Sequence, residues 1–233
     1  MSLLLRTRGL RAFYGDFQAL FGVDFEIQPG EVVAIIGANG AGKSTFLRTV
    51  CGLMPSPREA VIFDGQPIGG LRPSQVVRRG VAMVPEGRRL FPSLTVEENL
   101  LMGTHAGRRG PWNLATVYGL FPQLKDKRRA PAATTSGGQQ QMVAIGRALM
   151  SNPRLLVCDE ISLGLAPVVV KGIYDALPDI CDGGLSVIIV EQDVGAAQRV
   201  SSRLYCFQEG RVTLTGSSRD LAREQISQAY FGV

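Results

Sequence analysis

Cysteine, histidine and lysine are all scarce in this sequence of 233 residues. Its four cysteines, Cys51, Cys158, Cys181 and Cys206, stand far apart and form no CxxC pair. That spacing argues against a thiolate metal site and against a disulfide framework, and it fits reduced thiols in the cytosol. The one histidine, His105, lies in a loop rich in Gly and Arg and reads as surface. No run of about 18 apolar residues occurs, so no segment is expected to span a membrane. The opening Met1-Ser2-Leu3-Leu4-Leu5-Arg6 is too short an apolar run for a signal peptide. Repeats and low-complexity stretches are also missing, which excludes a tandem of two similar units.

What is present is a globular composition, 45% hydrophobic and 19% charged. Such a chain can build a core, and disorder is excluded as its general state. The net charge of +5 rests mainly on arginine, because only four of the 25 basic residues are lysine. The pairs Arg78-Arg79, Arg88-Arg89, Arg108-Arg109 and Arg128-Arg129 alternate with acids along the chain. They read as solvated surface and not as one basic stripe, so nucleic acid is not expected as a partner.

Short runs of branched apolar residues recur at Val32–Ile36, Val81–Val84, Leu155–Cys158, Val187–Val190 and Leu204–Phe207. Those at 32, 155 and 187 are apolar throughout, as parallel strands covered on both faces require. Helical stretches follow at Lys43–Cys51, Gln139–Met150, Val168–Leu177 and Val194–Val200. This order predicts an α/β fold with a mostly parallel core sheet and right-handed crossovers. The first ~30 residues read as short antiparallel strands ending in the turn Gln28-Pro29-Gly30, an N-terminal β subdomain. Residues Ser93–Lys127 read as mainly helical around the loop Gly103–Pro111. The expected organisation is one domain over 1–233, with a helical insertion at about 90–150.

Gly37-Ala38-Asn39-Gly40-Ala41-Gly42-Lys43-Ser44 satisfies the pattern GxxxxGK[ST], preceded by a strand and followed by a helix that continues into Thr45. Glycines let the backbone wrap phosphate and present its N–H groups in a concave nest, to which the helix N-terminus adds partial positive charge. Lys43 is expected on the β- and γ-phosphates, and the Ser44 hydroxyl on Mg²⁺. The motif by itself means nucleotide binding and includes kinases, GTPases and motors.

A second element, Leu155-Leu156-Val157-Cys158-Asp159-Glu160, ends an apolar strand in two acids. Side chains alternate faces along a strand, so the two should differ in role. Asp159 is expected at Mg²⁺ beside Ser44, and Glu160 facing the γ-phosphate, where it polarises the attacking water. The acid pair favours an ATPase over a kinase or small GTPase. A third element, Thr135-Ser136-Gly137-Gly138-Gln139-Gln140-Gln141, opens an amphipathic helix with a Ser-Gly-Gly turn, a second anion-favouring helix start.

Together the phosphate loop, the Ser136-Gly137-Gly138-Gln139 turn with its helix to Arg147-Ala148-Leu149, and the Leu155–Glu160 strand resemble an ABC-transporter ATPase over nearly the whole chain. The resemblance implies the P-loop NTPase fold, ATP and Mg²⁺ as cofactors, and a head-to-tail dimer. In that dimer Ser136, Gly137 and Gly138 would contact the γ-phosphate held by the other subunit's phosphate loop. It also implies that Tyr14 stacks on adenine. Val84–Phe91, Thr95–Leu100, Ser162–Pro167 and Ala229–Gly232 resemble the branched-chain amino acid uptake branch, and there the shorter of two ATPases.

Four positions depart from the wider family pattern. Glu86 stands where most members carry Gln, and it can still hold water near Mg²⁺. Gln192 occupies the position of the switch histidine; it can donate to a phosphate oxygen but carries no charge. Thr135 and Ile161 replace a usual Leu and Pro. The expected partners are a second ATPase subunit, an unlike one that supplies a histidine with a homodimer as the alternative, integral membrane permeases and, indirectly, a periplasmic solute-binding protein. The expected location is the inner face of the cell membrane. Other small polar solutes such as urea or amides, and a soluble role outside transport, remain open alternatives.

Overall fold

The computed structural model describes residues 3–231. Six strands form the core sheet in the order β10-β9-β3-β8-β7-β6. They are β3 (Val32–Ile36), β6 (Val81–Val84), β7 (Leu155–Asp159), β8 (Ser186–Val190), β9 (Arg203–Gln208) and β10 (Arg211–Ser217). All neighbours pair in parallel except β10, which closes one edge antiparallel to β9. β7 and β8 are buried at every position, which is why Leu155–Cys158 and Val187–Val190 are apolar without alternation, with only Asp159 and Ser186 polar at their ends. The α/β class expected from the sequence is the one observed.

The N-terminal antiparallel sheet differs from its expected outline. β1 (Leu5–Tyr14) and β2 (Phe17–Ile27) are long, 10 and 11 residues, and not short. The sheet also recruits β4 (Val61–Phe63) and β5 (Gln66–Pro67), giving the order β2-β1-β4-β5. Helix α1 (Lys43–Val50) packs between the two sheets, and Phe46 joins Phe25 and Phe207 with ring centroids 5.0 and 5.5 Å away. The start of this helix is thereby fixed relative to both sheets.

On the other face the chain between β6 and β7 folds into helices. These are α3 (Val96–Leu101), α4 (Leu114–Leu120), α5 (Pro122–Asp126) and α6 (Gly137–Leu149). Val96, Leu100, Val117, Leu124, Val143 and Leu149 share one apolar cluster with Leu156, Val187 and Ile189 of the sheet. The expected loop at 103–111 begins with a short 3-10 turn, Met102–Ala106. Helix α6 starts at the Gly-Gly pair itself, two residues earlier than expected. The expected helix at 168–177 is two pieces, α7 (Pro167–Asp175) and α8 (Leu177–Cys181). α2 (Pro73–Arg79) and α10 (Arg223–Phe231) were not expected from the sequence, while α9 (Val194–Val200) lies where expected. No helix among the described residues is long and apolar enough to cross a membrane.

Candidate active site

Four strand ends meet on one side of the core sheet. Residues 37–42 follow β3, Glu86 lies two residues beyond β6, Glu160 follows β7, and Glu191-Gln192 follow β8. These strands run parallel, so all four are carboxyl ends, the side on which open α/β sheets bind ligands.

The phosphate loop is built around positive φ angles of 150°, 82° and 98° at Gly37, Gly40 and Gly42. A Cβ at Gly37 would lie 2.2 Å from the carbonyl oxygen of Phe207 on β9, so the strand next door dictates glycine there. Ala41, 4% exposed, closes the turn by donating its N–H to the Ala38 carbonyl. Lys43 is also only 4% exposed. Its ammonium donates to the carbonyls of Gly37 (2.7 Å) and Ala38 (3.0 Å) and sits 3.9 Å from Glu160 Oε1. Burial lowers its pKa, against the attraction of Glu160 and Asp159.

Ser44 Oγ donates to Asp159 Oδ1 at 3.0 Å. Asp159 is the buried last residue of β7. Burial pushes its carboxyl above the usual range; the Ser44 hydrogen bond opposes that, and the charges of Glu160 and Glu86 add to it. The two adjacent acids do diverge, but strand alternation is not the reason. β7 ends at Asp159, and Glu160 turns into the left-handed region at φ 49°. A residue with a side chain held there is strained, and such strain concentrates at functional sites. The Glu160 carboxylate then accepts from Gln192 Nε2 at 2.8 Å, while the same amide nitrogen donates to Asn39 Oδ1 at 3.3 Å.

Asn39, Gly40, Gly42, Lys43, Ser44, Thr45, Glu86, Glu160 and Gln192 line one cavity of about 460 Å³, together with Leu163. A larger cavity of about 890 Å³ lies among Leu165, Val170, Tyr174 and Pro178, and no phosphate-loop residue lines it. Converging polar groups, not size, single out the smaller one. Tyr14, at the end of β1, is 47% exposed, with its hydroxyl 3.3 Å from Thr45 Oγ1. Ser136 N-caps α6 in a reciprocal pair: its hydroxyl accepts from Gln139 N–H (3.3 Å) and its N–H donates to Gln139 Oε1 (3.1 Å). At Gly138 a Cβ would lie 2.5 Å from Val169 of α7. Ser136, Gly137, Gly138 and Gln139 do not line the cavity around Lys43.

Three residues have structural roles that the sequence did not show. Glu191, 1% exposed, accepts hydrogen bonds from Ser162 (2.5 Å) and from Tyr174, and burial raises its pKa. Asn99 and Arg147 secure the loop that carries Glu86. An acid directly after the apolar run Val187–Val190 was the signal for Glu191. An Asn on the apolar side of a helix was the signal for Asn99. The arginine pairs read as solvated surface are partly engaged: Arg88 donates to Gln140, and Arg108 to the carbonyls of Asn152 and Arg78.

A protein-family model described as ABC transporter matches residues 20–162. The chain belongs to the ABC transporter family. That match takes in the phosphate loop, Glu86, the start of α6 and the Asp159-Glu160 pair, while Tyr14 and Gln192 fall outside it. Among curated relatives, the chain is 43% identical to the high-affinity branched-chain amino acid transport ATP-binding protein BraG of Pseudomonas aeruginosa, over 94% of this chain and 96% of that one. It is 32% identical to a probable branched-chain amino acid transport ATP-binding protein, LivF, of Archaeoglobus fulgidus, covering 95% of each. Its fold matches a crystal structure of a nucleotide-free ATP-binding cassette from an ABC transporter. That match has a TM-score of 0.84 and 27% identity, over 98% of this chain and 95% of the other. The chain is thus an ATP-binding cassette and an ATPase.

Proposed function

We propose that this cassette drives an importer for branched-chain or closely related amino acids, through separate membrane permeases fed by a periplasmic solute-binding protein. The likeness to BraG along nearly the full chain supports the solute class. The convergence of Lys43, Ser44, Asp159, Glu160 and Gln192 on one cleft carries the chemistry. The cassette is read as one unit over 1–233, with the helices at about 90–150 as its insertion.

Lys43 and the N–H groups of residues 39–44 bind the phosphates of ATP, with Asn39, Ala41 and Thr45 completing the loop. Tyr14 offers its half-exposed ring to the adenine. The Ser44 hydroxyl and the Asp159 carboxylate form an oxygen donor set that suits Mg²⁺, which is commonly held by one or two carboxylates plus substrate phosphates. Mg²⁺ would supply charge neutralisation across the phosphates, with Glu86 holding water at the rim. Glu160 accepts a proton from the attacking water. Gln192 orients that carboxylate and offers an amide donor, but no charge, to the γ-phosphate.

Ser136, Gly137, Gly138 and Gln139 stand outside this cleft, which supports their acting on nucleotide held by a second cassette. We take that second cassette to be an unlike ATPase that contributes a histidine. Mg-ATP hydrolysis by the chain alone and mixed with its partner ATPase, with size-exclusion chromatography of Glu160→Gln in ATP, tests the pairing. A rate that rises on mixing and an ATP-trapped heterodimer are expected; full activity alone as a homodimer would overturn it. Leucine uptake by cells carrying Glu160→Gln tests the solute. Intact leucine uptake alongside lost uptake of another solute would reassign it.

A further inference from the structure

The segment between β6 and α3 carries Glu86 to the rim of the cleft. Directly after Glu86 the backbone stays left-handed for three residues, with φ of 72° at Gly87, 65° at Arg88 and 46° at Arg89. Residues with a Cβ avoid this region unless something holds them there. One side chain of α6 holds both arginines. Arg147 Nη2 donates to the Arg88 carbonyl at 3.0 Å, and Nη1 donates to the Arg89 carbonyl at 2.8 Å. Its guanidinium also lies over the Phe91 ring, 5.5 Å from the centroid. The planar fork is the feature that lets one residue fix two consecutive carbonyls. Arg88 itself reaches back to α6 through Nη1 and Gln140 Oε1, 3.1 Å apart.

We propose that Arg147 is a positioning residue for Glu86. It holds Arg88 and Arg89 in the left-handed conformation, and thereby sets where Glu86 stands relative to Lys43 and Glu160. The same helix begins at Ser136-Gly137-Gly138, so a shift of α6 would be passed through the Arg147 fork to Glu86. The inference rests on the assignment of Glu86 to the Mg-ATP site.

The test is steady-state Mg-ATP hydrolysis by the chain with its partner ATPase, with thermal unfolding alongside, in Arg147→Met, Arg89→Gly, Glu86→Ala and their combinations. Arg147→Met should lower kcat roughly 10- to 100-fold, the scale of a misplaced site, with the KM for ATP little changed. Combined with Glu86→Ala it should cost no more than Glu86→Ala alone. Arg89 is exposed and glycine accepts positive φ freely, so Arg89→Gly should leave the wild type unchanged and restore part of the loss in Arg147→Met. A merely structural loss at Arg147 would not be rescued in this way. Additive losses with Glu86→Ala, or no rescue by Arg89→Gly, overturn the proposal. Normal turnover in Glu86→Ala would overturn the assignment of Glu86 as well. If Arg147→Met does not fold, Arg147→Lys keeps a cation without the fork and takes its place in the same comparisons.

Discussion

Removing the Gln192 amide should impair turnover far more than nucleotide binding. In the structure Gln192 Nε2 ties down one oxygen of Glu160, at 2.8 Å, while the other oxygen lies 3.9 Å from Lys43. Without the amide, the carboxylate is free to swing onto Lys43 and close a direct ion pair. That would turn it away from the attacking water and divert the lysine from phosphate. A hydrogen bond to a charged group is worth about 1.5–3 kcal/mol. At ~1.36 kcal/mol per decade of rate, Gln192→Ala should therefore lower kcat roughly 10- to 150-fold. Gln192→His, which retains a donor, should stay much closer to wild type. The assay is steady-state ATPase kinetics beside titration of a fluorescent ATP analogue. An unchanged kcat in Gln192→Ala would refute the account. So would a loss confined to KM, which would mean that the residue serves Asn39 and the phosphate loop instead.

Gly37→Ala should weaken both folding and ATP binding. Its Cβ would meet the Phe207 carbonyl oxygen at 2.2 Å at a φ of 150°, so the strand or the loop must move, at a cost of about 2–4 kcal/mol. Wild-type thermal unfolding and nucleotide affinity would contradict this. Asn99→Ala leaves a fully buried position in which the amide had donated to the carbonyls of Phe91, Leu94 and Thr95 and accepted from the Phe91 N–H. It should cost about 2–4 kcal/mol in denaturant titration, and a change under 1 kcal/mol would be a failure. Glu191 gives a signed pH dependence. Burial raises its folded pKa while Ser162 and Tyr174 pull the other way, so the folded state holds the proton more tightly than the unfolded. Its stabilising contribution is therefore complete at acid pH and declines as pH rises through the folded pKa. Wild type should lose stability relative to Glu191→Gln as pH is raised from acid to neutral; a flat or opposite difference would show that the carboxyl titrates normally.

The central strands were legible because burial on both faces writes itself as uninterrupted branched residues, as in Val187–Val190 and Leu155–Cys158. β4 and β5 were not, since three and two residues carry no period, and their place beside β1 is set by pairing across the chain. β10 alternates between exposed and half-buried positions and includes Thr and Gly, so its apolar signal is weak. The phosphate loop was readable because its function is local: glycines, a lysine and a hydroxyl within eight consecutive positions. Long-range partners were not. Gln192 meets Glu160 from 32 residues away, and Arg147 meets the carbonyls of Arg88 and Arg89 from 59 and 58 away. Periodicity holds no record of such contacts. The strained backbone at Glu160 was equally hidden, because glutamate does not announce a left-handed position as glycine does.

The most direct test is to measure Mg-ATP turnover and ATP affinity together in Glu160→Gln. The amide keeps the size of the side chain but is a far weaker base, so ATP should bind with near wild-type affinity while turnover is lost. Turnover at the wild-type rate would contradict the assignment of the proton acceptor, and with it the account of the site built around Lys43, Glu160 and Gln192.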